Sequence, residues 1–279
     1  MGIKCIALDL DGTTLCSDKQ ISTRTKKAIE QAIEDGIHVV VASGRCLDAL
    51  PKSVTEISGV EYAITSNGAA VYELASGTCL RRVTLETQAV EAILKITENR
   101  EITCEVFYEG IPYANREYVE DPVAHGATPY AYEYIRSTRH PIEDIRAFIR
   151  EHQSEIDGID LITRNQELRM EIWKELEKIT PPLYITSSVV NRIEIANTQA
   201  GKHQGLAFIL DRLGVTPEET AAFGDADNDV EMLSYVKYGM AVENATQKCK
   251  EAAMQIVPKN TEDGVAVGIE KLKNLSQNL

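Results

Sequence analysis

A chain of 279 residues has room for one large or two moderate α/β domains, and 43% hydrophobic residues is enough for an ordinary buried core. A formal net charge of −14, with no basic stripe to offset it, argues against a general nucleic-acid binder. An enzyme of this composition acting on an anion must gather its positive charge locally. The six cysteines (5, 16, 46, 79, 104 and 249) make no C-x-x-C pair and no zinc spacing, so they read as reduced thiols. No signal-peptide pattern and no apolar run of roughly 20 residues is present, and the expectation is a soluble cytoplasmic protein with no membrane partner.

Residues 3 to 9 form a short apolar run that fits a buried parallel strand. Ser22 is placed to cap a helix whose stripe is Ala28, Ile29, Ala32 and Ile33 and which stops at Gly36. IHVVVASGR reads as a second strand, residues 46 to 57 as a helix, and YAITSNGA as a third strand. This alternation predicts βαβ units and a parallel sheet. After Asn67-Gly68 the pattern changes. A hairpin around Ser76-Gly77 is followed by a helix over 86 to 98, the strand EITCEVFYEG and a tyrosine-rich stretch. Next come a helix starting near Pro141, the strand IDGIDLITR, a helix over 166 to 179 ended by Pro181-Pro182, and the strand LYITSSVV. From RIEIAN onward the first plan resumes: a helix over 202 to 213, the strand ETAAFGD, the helix DNDVEMLSYV, the strand YGMAV and two more helices. The expected organisation is an α/β core with a Rossmann-like parallel sheet, residues 1–83 plus 190–279, with a second α/β domain, residues 84–189, inserted in it.

In open parallel sheets chemistry gathers at the carboxyl ends of the strands. Polar residues fall there four times: Asp9 and Asp11, Ser43-Gly44-Arg45, Asn67-Gly68, and Asp225 with Asn228 and Asp229, with Lys202 opening a helix beside the same edge. Carboxylates converging on one edge repel unless a cation neutralises them, and all-oxygen ligands select a hard ion, Mg²⁺ ahead of a soft transition metal. A lysine, a serine hydroxyl and glycine-opened backbone N–H groups supply an anion cradle. Together these are the parts needed for phosphoryl transfer.

DLDGTTL, VVASGR, Lys202 in AGKHQG, and GDADNDVEML, in that order, resemble the four motifs of the haloacid dehalogenase (HAD) superfamily. The insertion resembles the C2-type cap by position and length, and the tail is similar to that of the Cof-type (IIB) phosphatases. The resemblance implies a Mg²⁺-dependent phosphatase that hydrolyses phosphomonoesters of sugars or other small metabolites. In it Asp9 attacks phosphorus and forms an aspartyl-phosphate, while Asp11 protonates the leaving group and later activates water. It implies that Asp9, Asp225, Asp229 and the backbone carbonyl of Asp11 serve the metal. Ser43 and Lys202, with the N–H groups of Leu10 and Gly44, would hold the phosphoryl oxygens, and Asn228 resembles the phosphate-side asparagine. The family most often has glycine where this chain has His203.

Arg45 and Asn67 sit at strand ends where substrate contact and plain loop packing are both open readings. Asp227 reads as a helix N-cap. Tyr130, Tyr132 and Tyr134 alternate, so as a strand they would share one face, either as a stacking surface or as sheet packing. The expected partner is a small phosphorylated molecule, with the protein a monomer or homodimer. The rival functions are a sugar phosphomutase of the phosphomannomutase kind and a non-catalytic sensor of a phosphorylated metabolite; the sensor has no need of intact Asp9 and Asp11.

Overall fold

The structure is a computed structural model that describes residues 2–277. The chain divides into two compact units, one made of residues up to 44, 50–81 and from 201 onward, the other of residues 45–49 and 82–200.

The first unit is built on an eight-stranded sheet. Its spatial order is Gln255–Val257, Tyr238–Val242, Thr220–Gly224, Cys5–Leu8, His38–Ala42, Val60–Thr65, Ala70–Glu73, Thr78–Arg82. The first six strands run parallel, and Ala70–Glu73 returns antiparallel beside Val60–Thr65. Cys5–Leu8 is buried at every position, as expected for a central strand of a parallel sheet covered on both faces. The helix Thr23–Glu34 begins where expected, with the Ser22 side chain accepting from the N–H of Thr25. Residues 46 to 57 do not make one helix: Pro51 breaks the segment into a 3₁₀ turn, Leu47–Ala49, and a single helical turn, Lys52–Thr55.

The second unit is a six-stranded sheet in the order Leu183–Thr186, Arg192–Asn197, Ile156–Ile162, Thr103–Tyr108, Ile111–Asn115, His140–Ile142. Cys104, Val106, Ile159, Leu161, Ile193 and Ile195 line one face and pack on the helices Thr87–Ile96, Ile145–Glu151 and Gln166–Leu176. Period-two alternation sends Glu105, Asp160 and Glu194, side by side in register, to the other face. There Arg139 donates to Glu105 (2.7 Å) and Arg192 to Asp160 (2.9 Å), with Arg192 also 3.5 Å from Glu105.

Three expectations change here. Arg192–Asn197 pairs antiparallel with Ile156–Ile162 and Leu183–Thr186, so RIEIAN belongs to the inserted unit, and the return to the first unit comes at residue 201 rather than 190. The tyrosine stretch is not a strand. Pro129 starts a 3₁₀ turn, Pro129–Ala131, which runs into the helix Tyr132–Thr138, so the three rings splay apart. Tyr130 is 91% exposed, whereas Tyr134 lies between the guanidinium groups of Arg45 (4.3 Å to the ring centroid) and Arg139 (4.6 Å). The helix expected near Pro141 begins only at Ile145, where Asp144 caps it, and Pro141 lies in an edge strand. No helix among the described residues is long and apolar enough to cross a membrane.

Candidate active site

Four neighbouring parallel strands of the eight-stranded sheet end on one edge, and each delivers residues expected at the site. Asp9 follows Cys5–Leu8, Ser43 follows His38–Ala42, the Ser66–Gly68 turn follows Val60–Thr65, and Asp225 follows Thr220–Gly224. Lys202 opens the helix Lys202–Leu213 beside them, on the left-handed Gly201 (φ 113°). A close backbone crossing fixes this start: Gly201 N–H donates to the Asn67 carbonyl (2.7 Å), and a Cβ on Gly68 would fall 2.1 Å from the Gly201 oxygen.

Lys202 is fully buried, and its Nζ donates to Asp9 Oδ1 and to Asp229 Oδ1, both at 2.6 Å. Asp229 Oδ2 accepts the N–H groups of Asp225 (3.0 Å) and Ala226 (3.1 Å), so both its oxygens are satisfied within the protein. Asp225 Oδ1 accepts from Thr13 Oγ1 (2.9 Å). Gly12 makes that approach possible, since a Cβ there would meet Asp225 Oδ2 at 2.5 Å. Asp9 Oδ2 is different: it is buried and has no hydrogen-bond partner. An orphaned carboxylate oxygen in a buried site is expensive unless something binds it.

Among the described residues, Asp9, Asp225 and Asp229 are the group of three whose ligand atoms all lie within 4.8 Å of one another. Three carboxylates against one ammonium leave the cluster two negative charges in excess. Burial, followed by the Asp229 carboxylate, pushes Asp9 up to about 7 despite Lys202. Burial with Asp9 and Asp229 drives Asp225 well above the usual range. Burial works against the Lys202 charge, but Asp229 and Asp9 outweigh it and raise its pKa. All-oxygen donors, excess negative charge and an orphaned oxygen fit a hard divalent cation.

Two further buried acceptors lack partners, Ser66 Oγ and Asn228 Oδ1, while Asn228 Nδ2 donates to Asn67 Oδ1 (2.9 Å). Ser66, Asn67 and Gly68 hold positive φ in succession (48°, 53° and 88°), which is strained for the two residues with side chains. The Asn67 N–H donates to the Ser43 carbonyl (3.2 Å), tying this turn to the serine loop. Of the expected residues, Asp9, Lys202, Asp225 and Asp229 are therefore brought into direct contact or within ligand distance. Asn228 and Asn67 meet each other. Asp11 is half-exposed beside them and pairs with Lys19 (2.9 Å). Arg45 belongs to the second unit, where its Nη1 donates to the Ala49 carbonyl (3.0 Å). Asp227 accepts from Thr246 and Lys248, and it is Asp229 that precedes the helix Val230–Tyr235. Thr13 and Lys19 were not singled out by the sequence reading.

A family model for haloacid dehalogenase-like hydrolases matches residues 6–269. The chain belongs to that family. It is similar to the phosphatase YwpJ of Bacillus subtilis (30% identical over 282 residues, 95% of this chain and 98% of the relative). It is also similar to the 5-amino-6-(5-phospho-D-ribitylamino)uracil phosphatase YcsE of the same species (28% over 267 residues, 96% and 94%). A solved haloacid dehalogenase-like hydrolase from B. subtilis superimposes with a TM-score of 0.83 at 28% identity, covering 96% of this chain and 99% of that one. The chain is thus an enzyme of this hydrolase family, with its α/β fold.

Proposed function

We propose that the chain is a Mg²⁺-dependent phosphatase acting on a phosphomonoester of a small metabolite. The observation that carries this reading is Asp9: a buried carboxylate with one oxygen held by Lys202 and the other without a partner, at the edge of a parallel sheet. Asp9 and Asp225, with the Asp11 carbonyl, would hold the cation and Asp229 would serve it through water or by orienting its shell; the cation when bound supplies charge neutralisation for the transferring phosphoryl group.

This chain's residues account for the rest. One oxygen of Asp9 bonds to phosphorus as the ester P–O bond breaks, and Asp11 gives its proton to the departing oxygen. Lys202 and the Ser43 hydroxyl, with the N–H groups of Leu10 and Gly44, hold the phosphoryl oxygens, and Asn228 would join them by moving its Nδ2 from Asn67 to the phosphoryl group. In the second step Asp11 takes a proton from water, the water oxygen bonds to phosphorus, and the bond to Asp9 breaks. Inorganic phosphate leaves and both aspartates are restored. The Asp9 backbone is fixed by the Thr14 hydroxyl, which donates to its main-chain carbonyl (2.5 Å), and Lys202 holds its side chain.

The test is phosphate release from p-nitrophenyl phosphate with Mg²⁺, with EDTA, and by Asp9→Asn. Turnover should require the metal, and Asp9→Asn should lower it by at least about 10⁴-fold, as loss of a covalent nucleophile does. Asp9→Asn activity within tenfold of wild type would end the nucleophile assignment. The metabolite named for the YcsE relative, 5-amino-6-(5-phospho-D-ribitylamino)uracil, heads the substrate panel, followed by sugar phosphates.

A further inference from the structure

The ladder between the strands Cys5–Leu8 and Thr220–Gly224 ends at the pair Leu8 and Phe223. Asp9, Asp11 and Asp225 therefore stand past the last paired residues, on two separate loops. The carboxylates of Asp9, Asp225 and Asp229 lie within 4.8 Å of one another, with the Lys202 ammonium between two of them. Like charges this close press the two loops apart.

A third segment is bonded to both loops. After the strand Tyr238–Val242 the chain turns, with the Ala245 N–H donating to the Val242 carbonyl (2.9 Å), and enters the helix Gln247–Ala252, which Thr246 caps. On one side Asn244 Nδ2 donates to the carbonyl of Gly12 (2.8 Å), the residue after Asp11. On the other side the Thr246 N–H donates to the Asp225 carbonyl (2.8 Å), and Thr246 Oγ1 and Lys248 Nζ each donate to the Asp227 carboxylate (2.9 Å). Asn244 is itself braced, its Oδ1 accepting the Asn260 N–H (3.0 Å), and Asn260 Nδ2 donates to the Leu15 carbonyl (2.8 Å). Asn244 and Thr246 are exposed, so water competes for every one of these groups and the bonds add little to stability. Water cannot, however, hold two loops at one spacing.

We propose that Asn244 and Thr246 form a clamp that holds the two carboxylate loops at the separation a divalent cation needs; this rests on the cation reading given above. Asn244 is the positioning residue for the Asp11 carbonyl and Thr246 for Asp225. Gly12 is in the left-handed region (φ 83°), where a glycine left to itself moves easily. The bond from Asn244 fixes that glycine and, through it, the preceding peptide that carries the Asp11 carbonyl. The clamp is already closed in the metal-free chain, so the loops are drawn together on folding rather than on binding.

Mn²⁺ is a hard ion that takes the same oxygen ligands as Mg²⁺, and its free form is counted by its EPR signal, so binding is read without turnover. On the metal-free full chain, Asn244→Ala should raise the Kd for Mn²⁺ by about tenfold or more, in the range that loss of a group behind a metal ligand commonly costs. Thr246→Pro deletes the N–H that reaches Asp225 at a backbone angle proline accepts (φ −61°), and should weaken binding in the same way from the other loop. Asn165→Ala is the stability control. It removes an exposed cap bond to the Leu168 N–H in the second unit, and should leave the Kd unchanged at a comparable loss of urea midpoint. An unchanged Kd in either clamp variant, or a rise that Asn165→Ala matches, would overturn the proposal. Asp225→Asn is measured beside them. If wild type binds no Mn²⁺, or Asp225→Asn binds it equally well, the cation reading falls and the clamp with it. Binding that is lost in Asp225→Asn but intact in Asn244→Ala removes the clamp alone.

Discussion

Each unit buries a cluster of three carboxylates, and the two clusters end in different states. In the second unit Glu105, Asp160 and Glu194 face two guanidinium groups, Arg139 and Arg192, so one negative charge is left over. Burial alone would push Glu105 up, but Arg139 and Arg192 hold it down to about 2. Burial, outweighing Arg192, and then Glu194 and Glu105 drive Asp160 well above the carboxylate range. In the first unit Asp9, Asp225 and Asp229 face only Lys202, and Asp9 Oδ2 is left bare. The cluster of the second unit pairs Glu105 and Asp160 directly with arginines, and its atoms without a partner, Arg139 Nε and Arg192 Nε, are donors rather than carboxylate oxygens. The cluster of the first unit has one cation for three carboxylates and a bare Asp9 oxygen, and a divalent cation would satisfy both deficits at once, which is the difference that points to binding there.

The sharpest way to break this comparison is to unbalance both clusters and then add Mg²⁺. Lys202→Met leaves three buried carboxylates without a cation, and Glu105→Gln leaves two buried guanidinium groups short of a partner. Each should cost about 3–5 kcal/mol in urea unfolding of the metal-free protein, the usual result of removing one side of a buried pair. Excess Mg²⁺ at a hundred times its Kd should stabilise wild type and Glu105→Gln alike by about 2.7 kcal/mol, leaving the gap between them unchanged, and should stabilise Lys202→Met by more, because there the ion also replaces the missing charge. No stabilisation of any of the three would mean that the aspartate cluster does not bind the ion.

A smaller effect concerns the proton on Asp160. Because its folded pKa is raised, the native state binds more protons than the unfolded chain, whose aspartates titrate near 3.9. The stability from this group is therefore complete below that value and is lost as pH rises through the folded pKa. Asp160→Asn, which needs no proton, should show a flatter decline in urea midpoint above about pH 4 than wild type. A decline equal to that of wild type would show that the excess charge is carried elsewhere.

What could be read in the sequence follows from the same physics. Asp9, Ser43, Asn67 and Asp225 were legible because a parallel sheet puts every strand's carboxyl end on one edge, and Lys202 because it opens a helix there. The unit boundary was not, although RIEIAN held the signal. Arg192 and Glu194 alternate with Ile193 and Ile195, the pattern of an antiparallel strand with one polar face rather than of a buried parallel one. The tyrosine alternation misled in the opposite sense, because Pro129 at the start of a turn outweighed a period-two pattern of only five residues. Lys19 was hidden for a different reason. Its contact with Asp11 depends on a positive φ that lysine does not signal, inside a polar run that reads as an ordinary turn.

The smallest expected effect fixes the other end of the scale. Arg24 on the helix Thr23–Glu34 donates its Nη2 to both oxygens of Glu270 (3.2 and 3.0 Å) on the helix Gly264–Gln277, a direct ion pair like those of the buried clusters though longer than the contacts of Lys202. Both side chains are about half-exposed, 50% and 54%, so water already solvates the charges and neither partner is stranded when the other is removed. A double-mutant cycle with Arg24→Ala and Glu270→Ala should give a coupling below about 1 kcal/mol that shrinks further in high salt. A coupling as large as the loss in Glu105→Gln would mean that pairing geometry, not burial, sets the energetics. The contrast between a closed cluster and an open one would then no longer point to a binding site.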